Sequence, residues 1–137
     1  MKNRSQCPIS CSLDILGDKW SLLVIRDLML SKQCTYGDFL KSEEKIATNI
    51  LASRLLMLEE NGLISKLEHP ESKAKVLYML TKKGIDLLPL LIEMQLWADK
   101  YYTIPVERKE IINAVKKDRE GFVKKQKKIL LDFVKNL

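Results

Sequence analysis

Four short side chains occupy the front of the stretch ATNILASRLLMLEENGLI, residues 47 to 64: Thr48, Asn49, Ala52 and Ser53. Hydroxyl and carboxamide groups of this reach can exchange hydrogen bonds with base edges, and a helix enters the DNA major groove only where its side chains let the backbone come close. On a 100° helical wheel Ala47, Leu51, Leu55 and Leu58 fall together as a buried stripe. That phase turns Asn49, Ala52, Ser53, Leu56 and Glu60 outward, with Thr48 at the flank. Lys45 and Arg54 join them as candidate DNA contacts. On an isolated helix the same polar residues would serve as a cap and a solvated face, so the case for base reading depends on the neighbouring elements.

Other chemistry finds little support. His69, the one histidine, stands beside Pro70 with no nucleophile motif around it, so no catalytic residues are assigned and no enzyme is expected. Cys7, Cys11, Cys34 and His69 are all zinc-binding residue types, but Cys7-x3-Cys11 is not a recognised ligand knuckle, and no metal or cofactor is expected. The five glycines are isolated from one another, which leaves no phosphate-cradling loop. Three cysteines are too few for a disulfide framework and read as free thiols in a reducing compartment. The apolar region Ile85 to Trp97 is broken by Asp86, Pro89, Glu93 and Gln95, and Met1 to Gln6 leads into Cys7-Pro8 without an apolar signal segment. A cytoplasmic protein without a membrane span is expected.

The elements that must carry the outward face follow from punctuation and period. Asp18 is a plausible N-cap for a helix from Lys19 to about Leu30, on which Trp20, Leu23, Val24 and Leu28 recur at helical spacing. A short helix fits Thr35 to Lys41. Thr48 suits the N-cap of the next helix and Gly62 its left-handed stop. Beyond Gly62 the period changes to two: Leu63, Ser65 and Leu67 share one strand face, and Val76, Tyr78 and Leu80 another. The connection Pro70 to Lys75 reads as a polar loop longer than a two-residue turn. Thr81 then caps a long helix running to about Tyr101, within which Pro89 is a possible kink. Helix, turn, helix and wing in this order is a winged helix-turn-helix arrangement: mainly α with a small β-hairpin wing and long C-terminal helices.

The 137 residues are 46% apolar, enough for a real core, and carry a net charge of +6. Residues 1 to 104 hold 14 basic against 13 acidic side chains, and residues 105 to 137 hold 10 against 5. The basic excess therefore lies in the last quarter and suggests a polyanionic partner. There, Ile111, Val115, Phe122, Ile129, Phe133 and Leu137 form an apolar stripe opposite lysines, with Gly121 as a possible break between two helices.

The segments CPISCSLDILGDKWSLLVIRDL, TYGDFL, IATNILASRLLMLEENGLI and LYMLTKKGIDLLPLLIEMQLW together resemble the HxlR family of bacterial winged-helix transcriptional regulators. The likeness spans about residues 7 to 102 and includes Gly17, Lys19, Trp20, Leu51, Leu55, Gly62, Leu63, Tyr78, Leu80, Thr81, Gly84 and Trp97. It implies a dimeric DNA-binding regulator, sometimes responsive to redox or electrophile stress, and leaves room for a small-molecule inducer without naming one. Residues 1–102 would form the winged domain with its dimerisation helix, and 103–137 a basic amphipathic extension beyond the family core. The expected DNA contacts are a recognition helix at about 48–61 in the major groove and a wing at about 64–80 on the backbone or minor groove.

Departures include Leu56 and Met57 where members commonly carry charge, and Lys66 where Arg is frequent. Lysine supplies a point charge without Arg's fork, so Lys66, Lys73 and Lys75 suit phosphates better than bases. The apolar residues between Ile85 and Trp97 surround their helix, which points to a partner helix as cover, with Leu88, Leu91, Ile92 and Trp97 at a homodimer interface facing a palindromic operator. Several members of the resembled family use a cysteine at the Cys7-Pro8 position as a redox or electrophile switch. Cys7 is thus the candidate thiol, with Lys2 and Arg4 as nearby positive charge, while Cys11 and Cys34 read as packing residues. The competing reading is a winged-helix protein-interaction module that grips its partner through exposed Leu56 and the tail.

Overall fold

The computed structural model describes residues 4–136 and divides into two compact units, Met1–Gly84 and Ile85–Leu137. Lys2 and Leu137, named above, lie outside the described residues.

The first unit begins with α1 (Pro8–Leu16), an element not anticipated from sequence. Cys7 is its N-cap and Pro8 its first residue, where the missing amide proton costs nothing. α2 (Ser21–Ser31) follows. It starts two residues later than expected and its N-cap is Trp20, not Asp18; Asp18 lies two residues ahead of that cap and its carboxylate accepts from the Trp20 and Ser21 amides at 2.8 Å each. Val24, Ile25 and Leu28 face inward at three- and four-residue spacing. A three-residue strand, β1 (Gln33–Thr35), leads to α3 (Tyr36–Leu40), where Thr35 and Asp38 form a reciprocal capping box.

α4 (Thr48–Glu60) has the expected phase: Leu51, Leu55 and Leu58 are 0 to 2% exposed. Its N-cap is Ala47, not Thr48, and no side chain caps it, so Thr48 is already the first helical residue. Ala47 is exposed and does not join the buried stripe, because the chain has not yet entered the helix there. At the other end Gly62 adopts φ 75°, Leu63 donates to the Leu58 carbonyl at 3.0 Å and Gly62 to Glu59 at 3.0 Å. This Schellman closure ends the helix and aims the chain into the sheet.

β2 (Ile64–His69) and β3 (Ser72–Leu80) pair antiparallel, and β1 lies on the other side of β3, giving the order β1-β3-β2. Two expectations fail here. Pro70 and Glu71 alone link the strands, with His69 opposite Ser72, so the turn is tight. The extra residues instead leave the ladder further along: Glu68 pairs with Val76, and Lys73, Ala74 and Lys75 bulge out between these two pairs. In β3 the deeply buried residues are Leu77, Met79 and Leu80, while Val76 is exposed and Tyr78 half-buried with its ring edge-on to Phe39. Alternation does hold across Leu77, Tyr78 and Met79, but with the opposite phase to the one expected: Leu77 and Met79 face inward.

The long helix expected from Thr81 is two. Thr81 accepts from the Gly84 amide through its hydroxyl at 3.2 Å and starts α5 (Lys82–Ile85). α6 (Leu88–Tyr101) begins afresh, with Pro89 in its first turn in place of a mid-helix kink. In the second unit a 3-10 turn (Val106–Arg108) precedes α7 (Glu110–Lys117) and α8 (Arg119–Lys135). The break falls at extended Asp118, three residues before Gly121, and the Asp118 carboxylate caps α8 by accepting from the Gly121 amide at 3.0 Å. A Cβ on Gly121 would meet that carboxylate, which would then have to shift away from its capping position. The buried set is Ile112, Val115 and Leu130, whereas Ile129 is exposed and Ile111, Phe122 and Phe133 are only partly covered. The break at Asp118 resets the helical phase, so one stripe cannot run through both helices.

α7 and α8 both pack on α6. Three acidic positions in order, Asp86, Glu93 and Asp99, meet Lys127, Arg119, and then Lys116 with Lys109, an antiparallel ladder of opposite charges. No helix among the described residues is long and apolar enough to cross a membrane.

Candidate nucleic-acid interface

The outward face of α4 is open: Thr48, Asn49, Ala52, Ser53, Leu56 and Glu60 are all exposed, and Leu56 retains 56% of its surface. The front of the helix is held by its backbone, since the Tyr36 hydroxyl donates to the Thr48 carbonyl. The approach loop is tied to α2. Arg26 donates to both oxygens of Glu44 at 2.7 and 2.9 Å and to Asp27 at 2.8 Å, and the Ser42 hydroxyl donates to Asp27 at 2.5 Å. Lys45 emerges from this loop exposed, at φ 56°, its amide donating to the Ser42 carbonyl at 3.1 Å. A non-glycine residue in that region marks a sharply constrained turn into the helix.

Arg54 is placed differently from its neighbours. It is half-buried, with Nη1 3.4 Å from Asp18 Oδ2, and Nη2 donates to the Ser53 hydroxyl at 3.2 Å. Asp18, read from sequence only as a helix cap, is thereby joined to the outward face of α4. No local spacing could reveal a pair 36 residues apart. On the wing, Lys66 is 3.5 Å from Glu59 of α4, whereas Lys73 and Lys75 are exposed at the bulge. The structure therefore brings Thr48, Asn49, Ala52 and Ser53 onto one exposed helix surface with Arg54 at its flank, and carries the wing lysines on a separate projection.

The other candidates divide by exposure. On α6, Leu88 and Ile92 are buried within the chain, at 8% and 1%, and Leu91 is half-buried. The exposed stripe is Leu90, Met94, Trp97 and Tyr101, with Trp97 against the rings of Tyr101 and Tyr102 at 5.6 and 5.8 Å. Cys7 is exposed, Cys11 half-covered with its thiol donating to the Ser5 carbonyl, and Cys34 buried. Arg4 is matched by Asp14 at 2.9 Å. His69 Nδ1 accepts from the Glu71 amide at 3.1 Å, a local turn contact.

Comparison with known proteins gives a consistent family signal. The family model described as HxlR-like helix-turn-helix matches residues 15–105. An HTH-type transcriptional regulator of Synechocystis sp., sll1512, is 39% identical over 88 residues, which span 64% of this chain and 64% of that protein. The HTH-type transcriptional regulator YodB of Bacillus subtilis is 34% identical over 98 residues, 71% of this chain and 87% of YodB. Among solved structures, that of PA1607, a candidate transcription factor, aligns with TM-score 0.66 at 38% identity, covering 75% of this chain and 70% of that one. The reduced form of YodB aligns at 0.58 and 30% identity, covering 71% and 95%, and YodB has also been solved diamide-treated and quinone-bound.

The electrostatics distinguish framework groups from free ones. Burial alone would raise the Asp18 pKa, but the Ser21 hydroxyl, the Trp20 and Ser21 amides and the charge of Arg54 together hold it below its ordinary 3.8. The Thr35 amide does most to lower Asp38, and Lys116 does most to lower Asp99. Burial, reinforced by Asp27 and Asp38, pushes the Cys34 thiol up to about 11, so it stays protonated and unreactive at neutral pH. A carboxylate whose pKa is lower folded than unfolded stabilises above the unfolded value, and that contribution is lost as pH falls through the folded one. Thermal unfolding followed from neutral pH down through the ordinary value of 3.8 should therefore fall less steeply in Asp18→Asn than in the parent. Parallel curves would show that Asp18 gains nothing from its four donors.

Proposed function

The chain belongs to the HxlR-like helix-turn-helix family, and on that premise we propose that it is a sequence-specific regulator binding double-stranded DNA as a homodimer. The observation that carries the reading is the division of α4 between a buried leucine stripe and an exposed front of Thr48, Asn49, Ala52 and Ser53. Short polar groups there let the helix backbone approach, so Asn49 and Ser53 read base edges in the major groove. Lys45, Lys66, Lys73 and Lys75 hold phosphates and set register without reading sequence. Lys66 does so in competition with Glu59.

Homodimerisation is assigned to α6. Leu90, Met94, Trp97 and Tyr101 repeat at four- and three-residue steps along one exposed stripe, which a second copy would cover. Leu88, Leu91 and Ile92 back that stripe from within the chain. Two-fold pairing offers two reading helices to a palindromic operator with half-sites about 34 Å apart. Residues 103–137 then serve as a brace for α6, with the ion-pair ladder holding α7 and α8 in register. Cys7, exposed at the start of α1, is the thiol assigned to redox response, in keeping with the treated forms in which YodB has been solved. Exposed Leu56 supports one other reading, docking of a protein partner on α4.

Three measurements test these assignments. With an operator selected from genomic fragments, Asn49→Ala and Ser53→Ala should each lose roughly 1–3 kcal/mol on that duplex and little on random DNA, while Lys73→Ala and Lys75→Ala weaken both. A flat response of parent binding to salt would favour the protein partner instead. In sedimentation at micromolar concentration the parent should run as a dimer and Trp97→Glu as a monomer; a monomeric parent rejects the interface. Mild diamide should change operator affinity in the parent and not in Cys7→Ser, and equal responses would remove Cys7 from the mechanism.

A further inference from the structure

The Asp18 carboxylate has more partners than a helix cap requires. Oδ1 accepts from the Trp20 and Ser21 amides at 2.8 Å each, and Oδ2 accepts from the Ser21 hydroxyl at 2.5 Å. Ser21 is fully buried, so these three bonds anchor the carboxylate to the buried first turn of α2. Its fourth partner is Arg54 Nη1 at 3.4 Å, the longest of the set and the only one from the reading helix. The other arm of the same guanidinium donates to the Ser53 hydroxyl at 3.2 Å. A fixed negative charge is thus aimed at the one cation of α4, at the flank of its outward face, and the pair leaves the guanidinium beside a candidate base-reading group.

We propose that Asp18 is a selectivity-determining positioning residue: it neutralises Arg54 toward the diffuse phosphate field and holds its guanidinium beside Ser53, where only a correctly placed base edge can use its remaining N–H groups. This rests on the reading of α4 as the DNA-reading helix. An unpaired arginine at that place would bind any phosphate, adding affinity for every sequence alike. Paired, it contributes almost no net charge at long range, so non-specific binding gains nothing from it. At the operator the pair does not need to break, because Arg carries five donors in a rigid fork and only part of it is engaged here. The orientation is already fixed before DNA arrives, which limits the conformational freedom lost on binding.

The test compares parent, Asp18→Asn, Arg54→Ala and the double variant, each titrated with selected operator and with a random duplex of equal length across a salt series. Asparagine keeps an Oδ1 acceptor for the Trp20 and Ser21 amides, so Asp18→Asn preserves the approach to α2 while removing the charge. It should bind random duplex several-fold more tightly, steepen the log–log salt slope by about one and lower the operator-to-random ratio. Those changes should vanish in the double variant. Arg54→Ala in the parent background should weaken operator binding and leave the random-duplex slope unchanged, a readout that does not depend on how well Asp18→Asn folds. An unchanged slope in Asp18→Asn, a parallel loss on both duplexes, or persistence of the change in the double variant overturns the proposal. So does a random-duplex slope shallower by about one in Arg54→Ala, which would make Arg54 an ordinary phosphate contact. A parent with no salt-dependent duplex binding would instead remove the DNA-reading role of α4, and the inference with it.

Discussion

Leu51, Leu55 and Leu58 are almost wholly removed from solvent, and their burial sets the rotation of α4 about its own axis. Each such side chain contributes roughly 1.5–3 kcal/mol when taken out of water, so turning the helix by one residue would forfeit most of that and expose three leucines. Every outward position is consequently assigned by the core. The Schellman closure at Gly62 fixes where the helix stops, and the Tyr36 hydroxyl on the Thr48 carbonyl helps fix where it starts. Between these limits the presentation of Asn49 and Ser53 follows from packing alone.

Electrostatics refine this frame in both units. In the first, Arg26 with Glu44 and Asp27 secures the approach loop, and Asp18 gathers the start of α2 and one side of α4. In the second, the acidic series Asp86, Glu93 and Asp99 absorbs four of the basic groups of the tail. Exposed pairs of this kind contribute little individually. Asp99, 7% exposed between two lysines, is the best-shielded member. The basic surplus noted in the last quarter of the chain is therefore partly an internal matter, matched to a neighbouring helix.

Period and punctuation revealed what they could where one face alone was buried: the phase of α4, the helix that follows Asp18, the short helix near Thr35 and the existence of the wing. They failed where local pattern underdetermines structure. β1 has three residues, too few for any period, and β3 buries Leu77 and Met79 in the opposite phase to Val76, Tyr78 and Leu80. α1 buries none of its residues and so left no core signature. In the tail the break comes at Asp118 and not at Gly121, and the capping aspartate there restarts the helical count, so a stripe phased across it does not match the buried set. The interface was legible as a helix face, while the link between Asp18 and Arg54 was not, because it exists only after folding brings distant residues together.

The bulge at Lys73, Ala74 and Lys75 separates two mechanical roles in the wing. The paired portion from Ile64 opposite Leu80 to Glu68 opposite Val76 bears the register, and the His69–Ser72 closure completes the turn independently of the three residues between. Those three can change in length or composition without shifting any side chain of the ladder from one face to the other, the usual penalty for an insertion in a strand. Ala74 is in consequence a natural attachment point for a fluorophore or spin label, a vantage from which the wing can report its own environment while the sheet beneath it is left as it is.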